Sequence, residues 1–183
     1  LRNILLKDIY IPERASISGE IRGYDSITVS AGIPRLHIGN EELRNSQIRI
    51  KGKSNIIESD FRTERRQKTG FVDWALTVNA NNNRLRTIAS MDNNRSPRFS
   101  GKMDIITNFK KTADGKDWIE AWVAPETLTI SDTLWDINPA TIRWENNAAS
   151  VRGFRVYQSR LRGLEVNGSI SASNTDTLTL TLQ

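Results

Sequence analysis

The sequence predicts an all-β fold, an antiparallel meander, on three observations. Apolar and polar residues alternate with period two along most of the chain, the pattern of strands that bury one face only. Asn-, Gly- and Ser-rich turn signals recur at roughly ten-residue intervals, as short antiparallel connections require. No stretch keeps a helical apolar period over two turns, and nothing resembles a strand–helix–strand unit.

Taken in order, Ile4, Leu6, Ile9 and Ile11 suggest a first strand or pair, stopped by Pro12, which has no N–H to give a ladder. Ala15, Ile17, Gly19 and Ile21 share a face of the next strand, and another follows around Ile27 to Val29. Ala31 to Gly39 reads as a looser segment broken at Pro34, and Gly39 to Asn45, containing Glu41, Glu42 and Leu43, as one helical turn. Ile48, Ile50 and Gly52 repeat the apolar-x-apolar-x-Gly pattern that Leu164, Val166 and Gly168 show later. Asn55 to Phe61 is a strand, with Arg62, Arg65, Arg66 and Lys68 in a solvated loop after it.

Phe71 to Asn79 is the clearest strand of this half, with Val72, Trp74, Leu76 and Val78 on one face. Asn-rich turns flank Leu85 to Met91, and Phe99, Gly101, Met103, Ile105 and Phe109 mark a long strand. Asp114-Gly115 is a strong hairpin turn. Trp118 to Val123 is apolar on both faces except at Glu120, which predicts a cover for its second side. Leu128 and Ile130 precede five C-terminal pieces: Leu134–Pro139, Thr141–Trp144, Val151–Val156, Leu164–Ser171 and Asp176–Leu182.

Composition narrows the function. The chain has 183 residues, enough for one domain, but its 37% hydrophobic content and mean hydropathy of −0.50 are low for a two-layer core. A single sheet with one apolar face fits better. The net charge of +5 is spread along polar strand faces, and the densest basic run holds no aromatic residue to stack a base, so no nucleic-acid partner is expected. With no cysteine, disulfides and cysteine-ligated metals are excluded. His37 is the only histidine and alternates with apolar neighbours as an ordinary strand residue. Asp132 and Asp136 read as turn caps beside Trp135, and Asp176 as the cap opening the last strand. No catalytic, metal or cofactor site is expected. The chain begins at Leu1 without Met or a signal peptide, so residues 1–183 read as one β-rich fragment of a longer protein. No apolar run is long enough to cross a bilayer, which places any membrane anchor outside it.

The last fifty residues resemble a known family. Trp135, Ile137 and Pro139, then Leu164, Val166, Gly168, Ile170 and Ser171, then Asp176, Leu178 and Leu180 are similar to the C-terminal region of TamB-like proteins. These are the inner-membrane-anchored component of the translocation and assembly module, related to AsmA. The resemblance implies a sheet curled taco-like into an open groove with an apolar interior. It implies a periplasmic location, phospholipid or outer-membrane protein cargo, and an outer-membrane barrel partner of the assembly-factor type. Groove residues assigned by parity are Ile48, Ile50, Leu76, Val78, Met103, Ile105, Leu128, Ile130, Ile142, Trp144, Leu164, Val166, Ile170, Leu178 and Leu180. Two alternatives stand beside this. The same residues would form a closed core if the sheet doubled into a sandwich, with Trp74 and Trp144 packed inside. An extracellular β-sandwich that binds glycans on exposed, coplanar tryptophans is the reading from another functional class.

Overall fold

The computed structural model describes residues 9–23, 25–68, 70–171 and 177–182. Among them every regular element is a strand, and all strands belong to one antiparallel sheet. The segments are β1 (Ile9–Tyr10), β2 (Ser16–Arg22), β3 (Ser26–Ile38), β4 (Glu41–Lys53), β5 (Ile56–Gln67), β6 (Gly70–Asn81), β7 (Arg84–Asp92) and β8 (Phe99–Lys111). They continue as β9 (Asp117–Val123), β10 (Glu126–Ile130), β11 (Thr133–Ile137), β12 (Ala140–Glu145), β13 (Ala148–Ser159), β14 (Arg162–Ile170) and β15 (Leu178–Leu182).

Register shows that three passes across the sheet are each made of two segments. Segments β9 and β10 both lie against β8, Val123 opposite Ile105 and Leu128 opposite Gly101. Facing them, β11 and β12 keep one register throughout, with Ile137 opposite Glu126 and Ala140 opposite Val123. Likewise β1 and β2 both run along β3. The fifteen segments therefore make a plain up-and-down meander of twelve passes, each paired with its sequence neighbours.

The interruptions have a common cause. Proline cannot donate to a ladder, and Pro12, Pro125 and Pro139 fall in the three gaps. Pro34 lies inside β3 but has a ladder partner on neither side, because β1 and β2 leave a gap there and β4 skips Asn45. The connections are tight. Ser131-Asp132 and Asn146-Asn147 both adopt positive φ at both positions, the arrangement of type I′ hairpins that matches strand twist.

A crease crosses the C-terminal half where these gaps align. Ala124 N–H donates to the Asp104 carbonyl (2.9 Å) and Asn138 N–H to the Arg155 carbonyl (2.9 Å). In β13 a bulge at Arg152-Gly153 follows, with the Gly153 N–H bonded to Asn167 Oδ1 at 2.7 Å. The bulge puts one extra residue into the strand, so Val151 and Phe154 point the same way although they are three apart. The core sits on this crease: Val123, Ile137 and Ala140 are buried, with Met103, Ile105, Leu128, Ile142, Phe154 and Val156 packed against them.

Val72, Ser46 and Thr63 are buried away from the crease, but most of the sheet has little cover. The chain exposes 13233 Å², whereas a compact monomer of its mass exposes about 9,000 Å². Apolar side chains of an enclosed sandwich core would be dry, but on the apolar face Trp144 is 50% exposed, Ile170 54% and Leu180 58%.

Four sequence expectations are corrected. Glu41 to Asn45 is not a helical turn but the start of β4, because pairing with β3 and β5 outweighs the local preference of Glu and Leu for helix. Arg62, Arg65 and Arg66 are not in a loop; β5 runs to Gln67, and Glu41 and Glu42 hold Arg65 and Arg66 on the sheet. Ala31 to Ile38 is continuous strand through Pro34. Trp144 is not core-packed but half open. The expectations for Ile4, Leu6 and Asp176 lie outside the described residues.

Candidate functional apolar face

Residues directly opposite in an antiparallel pair share a face, so the register can be followed from strand to strand. One row runs Val29, Ile50, Ser59, Val78, Thr87, Ile105, Val123, Ala140. Beside it runs Ala31, Ile48, Phe61, Leu76, Ala89, Met103. A third is Thr63, Trp74, Met91, Gly101, Leu128, Trp135, and Ile130 lies opposite Phe99 on the same side. Beyond the crease, Ile142, Val151, Gly168 and Leu178 continue one row, and Trp144, Ala149 and Ile170 the next. Val166 opposite Leu180, and Leu164 opposite Leu182, complete the far edge.

All fifteen residues assigned by parity thus lie on one face. They differ in surroundings. Met103, Ile105, Leu128 and Ile142 pack against the creased core, whereas Leu76, Ile130, Trp144, Ile170, Leu178 and Leu180 are exposed. Ile48, Ile50, Val78, Leu164 and Val166 are partly covered by their strand neighbours. Sequence reasoning omitted Phe61, Met91, Phe99, Trp135 and Phe154 from this face. Alternation alone would have found Trp135, which is two residues from Ile137. Phe154 was hidden, because the bulge breaks the parity count.

The opposite face is ion-paired and mostly polar, with Ile88, Ile106, Trp118, Trp122 and Leu134 set among the charges. Arg86 donates from Nη2 to Asp104 Oδ2 at 2.6 Å, Thr77 Oγ1 to Asp60 Oδ1 at 3.0 Å and Lys110 Nζ to Glu120 Oε1 at 2.8 Å. The Arg86 hydrogen bond holds the Asp104 carboxyl below its ordinary range. The cover expected over the second side of Trp118–Val123 is found only at Trp118, where Lys110 and Arg143 stand 4.6 and 4.3 Å from the ring centroid; Trp122 on the same side is exposed. The basic residues near the start of β4 are similarly engaged. Glu42 accepts from Arg66 (2.8 Å) and Arg44 (2.5 Å), which depress its carboxyl to about 2. His37 is a strand residue with its ring 6.2 Å from that of Tyr10. Of the two expected turn caps, Asp132 instead ties its turn to the loop before β8, accepting from Arg98 N–H (2.8 Å) and Ser96 Oγ (3.1 Å), and Asp136 is a strand residue of β11.

On the apolar face one depression stands out. A cavity of about 410 Å³ lies over Gly101, walled by Trp74, Met91, Phe99, Met103, Leu128 and Ile130. A Cβ at Gly101 would lie within contact-breaking distance of Leu128 Cδ2, which leans across the backbone there. Two indole N–H groups of this face, on Trp74 and Trp135, are shielded and have no hydrogen-bond partner. Thr63, beside Trp74 in its row, is committed elsewhere: its hydroxyl bonds the Arg44 carbonyl (3.1 Å) and Ser46 Oγ (2.7 Å).

Among the described residues no group of three or more His, Asp or Glu side chains is placed to hold a metal ion. Nor is any helix there long and apolar enough to cross a membrane. Compared with protein-family models, curated proteins and solved structures, the chain matches none of them.

Proposed function

We propose that this chain is a non-enzymatic segment of a TamB-like periplasmic protein, its apolar face serving as a conduit or chaperone for phospholipid transport and outer-membrane protein assembly. The observation that carries the reading is the continuity of that face. Twelve passes at about 4.8 Å each make an apolar strip about 50 Å long, running across the strands and open on both sides of the buried crease. Soluble monomers rarely expose contiguous apolar patches beyond a few hundred Å² unless the patch has a use. Acyl chains laid on such a strip remove both surfaces from water at ~25 cal/mol per Å². Headgroups stay solvated at its open side, so a lipid can slide without full desolvation.

The curl into a groove belongs to the same proposal. It draws support from the crease, since bulges bend a strand and increase its twist. The membrane anchor and an outer-membrane barrel partner would lie beyond this segment. The glycan-binding alternative gains less from the structure, because Trp118 is flanked by cations and Trp144 lies among aliphatic side chains.

Site-specific photo-crosslinking in the cell envelope tests the reading. A crosslinker at Leu76 or Trp144, on the apolar face, captures phospholipid, while one at Arg143 or Thr179, on the other face, does not. Equal capture from both faces, or none from either, overturns it.

A further inference from the structure

We infer that a cavity on the polar face, spanning β2 to β5, binds a terminal phosphate group. It lies across the sheet from the apolar strip and does not rest on the lipid reading above. Register assembles it: Ser30, Arg49 and Asp60 stand in one cross-strand row, and Gly32, Gln47 and Arg62 in the next. Together they line a concavity of about 480 Å³. Other arginines of β4 and β5 are spent, Arg44 and Arg66 on Glu42 and Arg65 on Glu41. Among the described residues, Arg49 and Arg62 have no ion-pair partner. Asp60, opposite Arg49, instead accepts from Thr77 Oγ1 through Oδ1 (3.0 Å). Diagonal positions on paired strands stand about 7–8 Å apart. The two guanidinium groups therefore repel each other, and an anion between them removes that repulsion.

The floor is a second, independent sign. Gly32 lies mid-strand with unbroken register on both sides and no positive φ, so neither a bulge nor a left-handed turn calls for glycine there. A Cβ at that position would come within 3.0 Å of Ser16 Oγ and take up the floor. A glycine inside a strand often marks a place where a ligand approaches the backbone closely. The lining then selects the anion. Two guanidinium groups match a doubly charged tetrahedral group, and the Ser30 hydroxyl and Gln47 amide donate to its remaining oxygens. A carboxylate brings one charge and fits a single guanidinium fork. Sulfate brings two charges but no proton at neutral pH, and it meets the Asp60 carboxylate unanswered. Hydrogen phosphate keeps one P–OH, which donates to Asp60 Oδ2.

Calorimetric titration with inorganic phosphate and with sulfate, at neutral pH and fixed ionic strength, tests this. Phosphate should bind saturably and about tenfold or more tightly than sulfate, the effect of one hydrogen bond to a charged group. Arg49→Gln and Arg62→Gln should each weaken phosphate about tenfold or more. Lys116→Gln removes the same charge from the hairpin after β8 and should leave binding unchanged. Asp60→Asn should abolish the preference over sulfate. Vesicles carrying phosphatidic acid distinguish the source. Binding of free phosphate assigns a soluble ligand, and binding confined to these vesicles, lost in Arg49→Gln, assigns the same group to a membrane surface. No binding of either overturns the inference, as does equal affinity for phosphate and sulfate. So does a loss in Lys116→Gln as large as that in Arg49→Gln. The comparison of the two anions needs only the unaltered chain, so it decides the matter even where a variant does not fold.

Discussion

At the scale of single residues, the most exacting positions are polar groups placed where strands change register. Ser46 and Thr63 are buried and bonded to each other at the β4 bulge, and Thr63 also satisfies the Arg44 carbonyl. Thr63→Val keeps the shape and removes both bonds, leaving a shielded hydroxyl and carbonyl unpaired. A loss of about 1–3 kcal/mol in urea unfolding is expected, and a loss below about 0.5 kcal/mol would show that water reaches the site. Glu42 provides a pH handle. Its folded carboxyl is depressed to about 2 by Arg66 and Arg44, below its value in the unfolded chain. Its contribution is therefore complete above about 4.5, the ordinary range of a glutamate, and is lost as pH falls from there towards 2. Denaturation midpoints measured across that window should fall more steeply for the unaltered chain than for Glu42→Gln.

At the scale of elements, two strands on the same face should answer differently to the same charge. Ile142 on β12 packs against Val123, Ile137 and Ala140, so Ile142→Asp places a carboxylate against a dry part of the sheet. A cost of about 3 kcal/mol or more follows. On β15, Leu180 is already more than half in water, and Leu180→Asp should cost about 1 kcal/mol or less. Thermal unfolding of the two variants checks the contrast, and equal destabilisation would mean that the face near β15 is covered. The crease itself depends on backbone conformation. At Gly153, φ is +74°, a region that L side chains rarely adopt. Gly153→Val should therefore disturb the bulge that keeps Val151 and Phe154 on one side.

At the scale of the whole molecule, a one-layer sheet leaves an open apolar face and exposed outer strands together. Ile17 and Ile21 on β2 and Leu182 on β15 are each about three-quarters exposed. Exposed apolar edges template pairing with other chains. The isolated chain should therefore self-associate as its concentration rises. Ile17→Lys combined with Leu180→Lys should shift sedimentation velocity profiles toward monomer, and an unaltered profile would mean that neither strand takes part.

What the sequence by itself determined is the all-β meander and the shared face of the residues that alternate within each unbulged strand, because both follow from a period of two that each strand carries locally. The Asn-Asn turn at 146–147 was legible for the same reason, since positive φ is a property of the residues in the turn. Only the tertiary structure decided where the ladder yields. Arg62 to Arg66 carried the composition of a loop, yet they are strand because Glu41 and Glu42 on the neighbouring β4 neutralise Arg65 and Arg66. Pro34 looked like a break, yet β3 runs through it because both neighbouring strands lapse at the same level. Phe154 and the cavity over Gly101 depend on a bulge and on strands that meet only after the chain has folded. Alternation reports one strand's own faces, whereas a bulge, a crease or a cavity belongs to the register between strands.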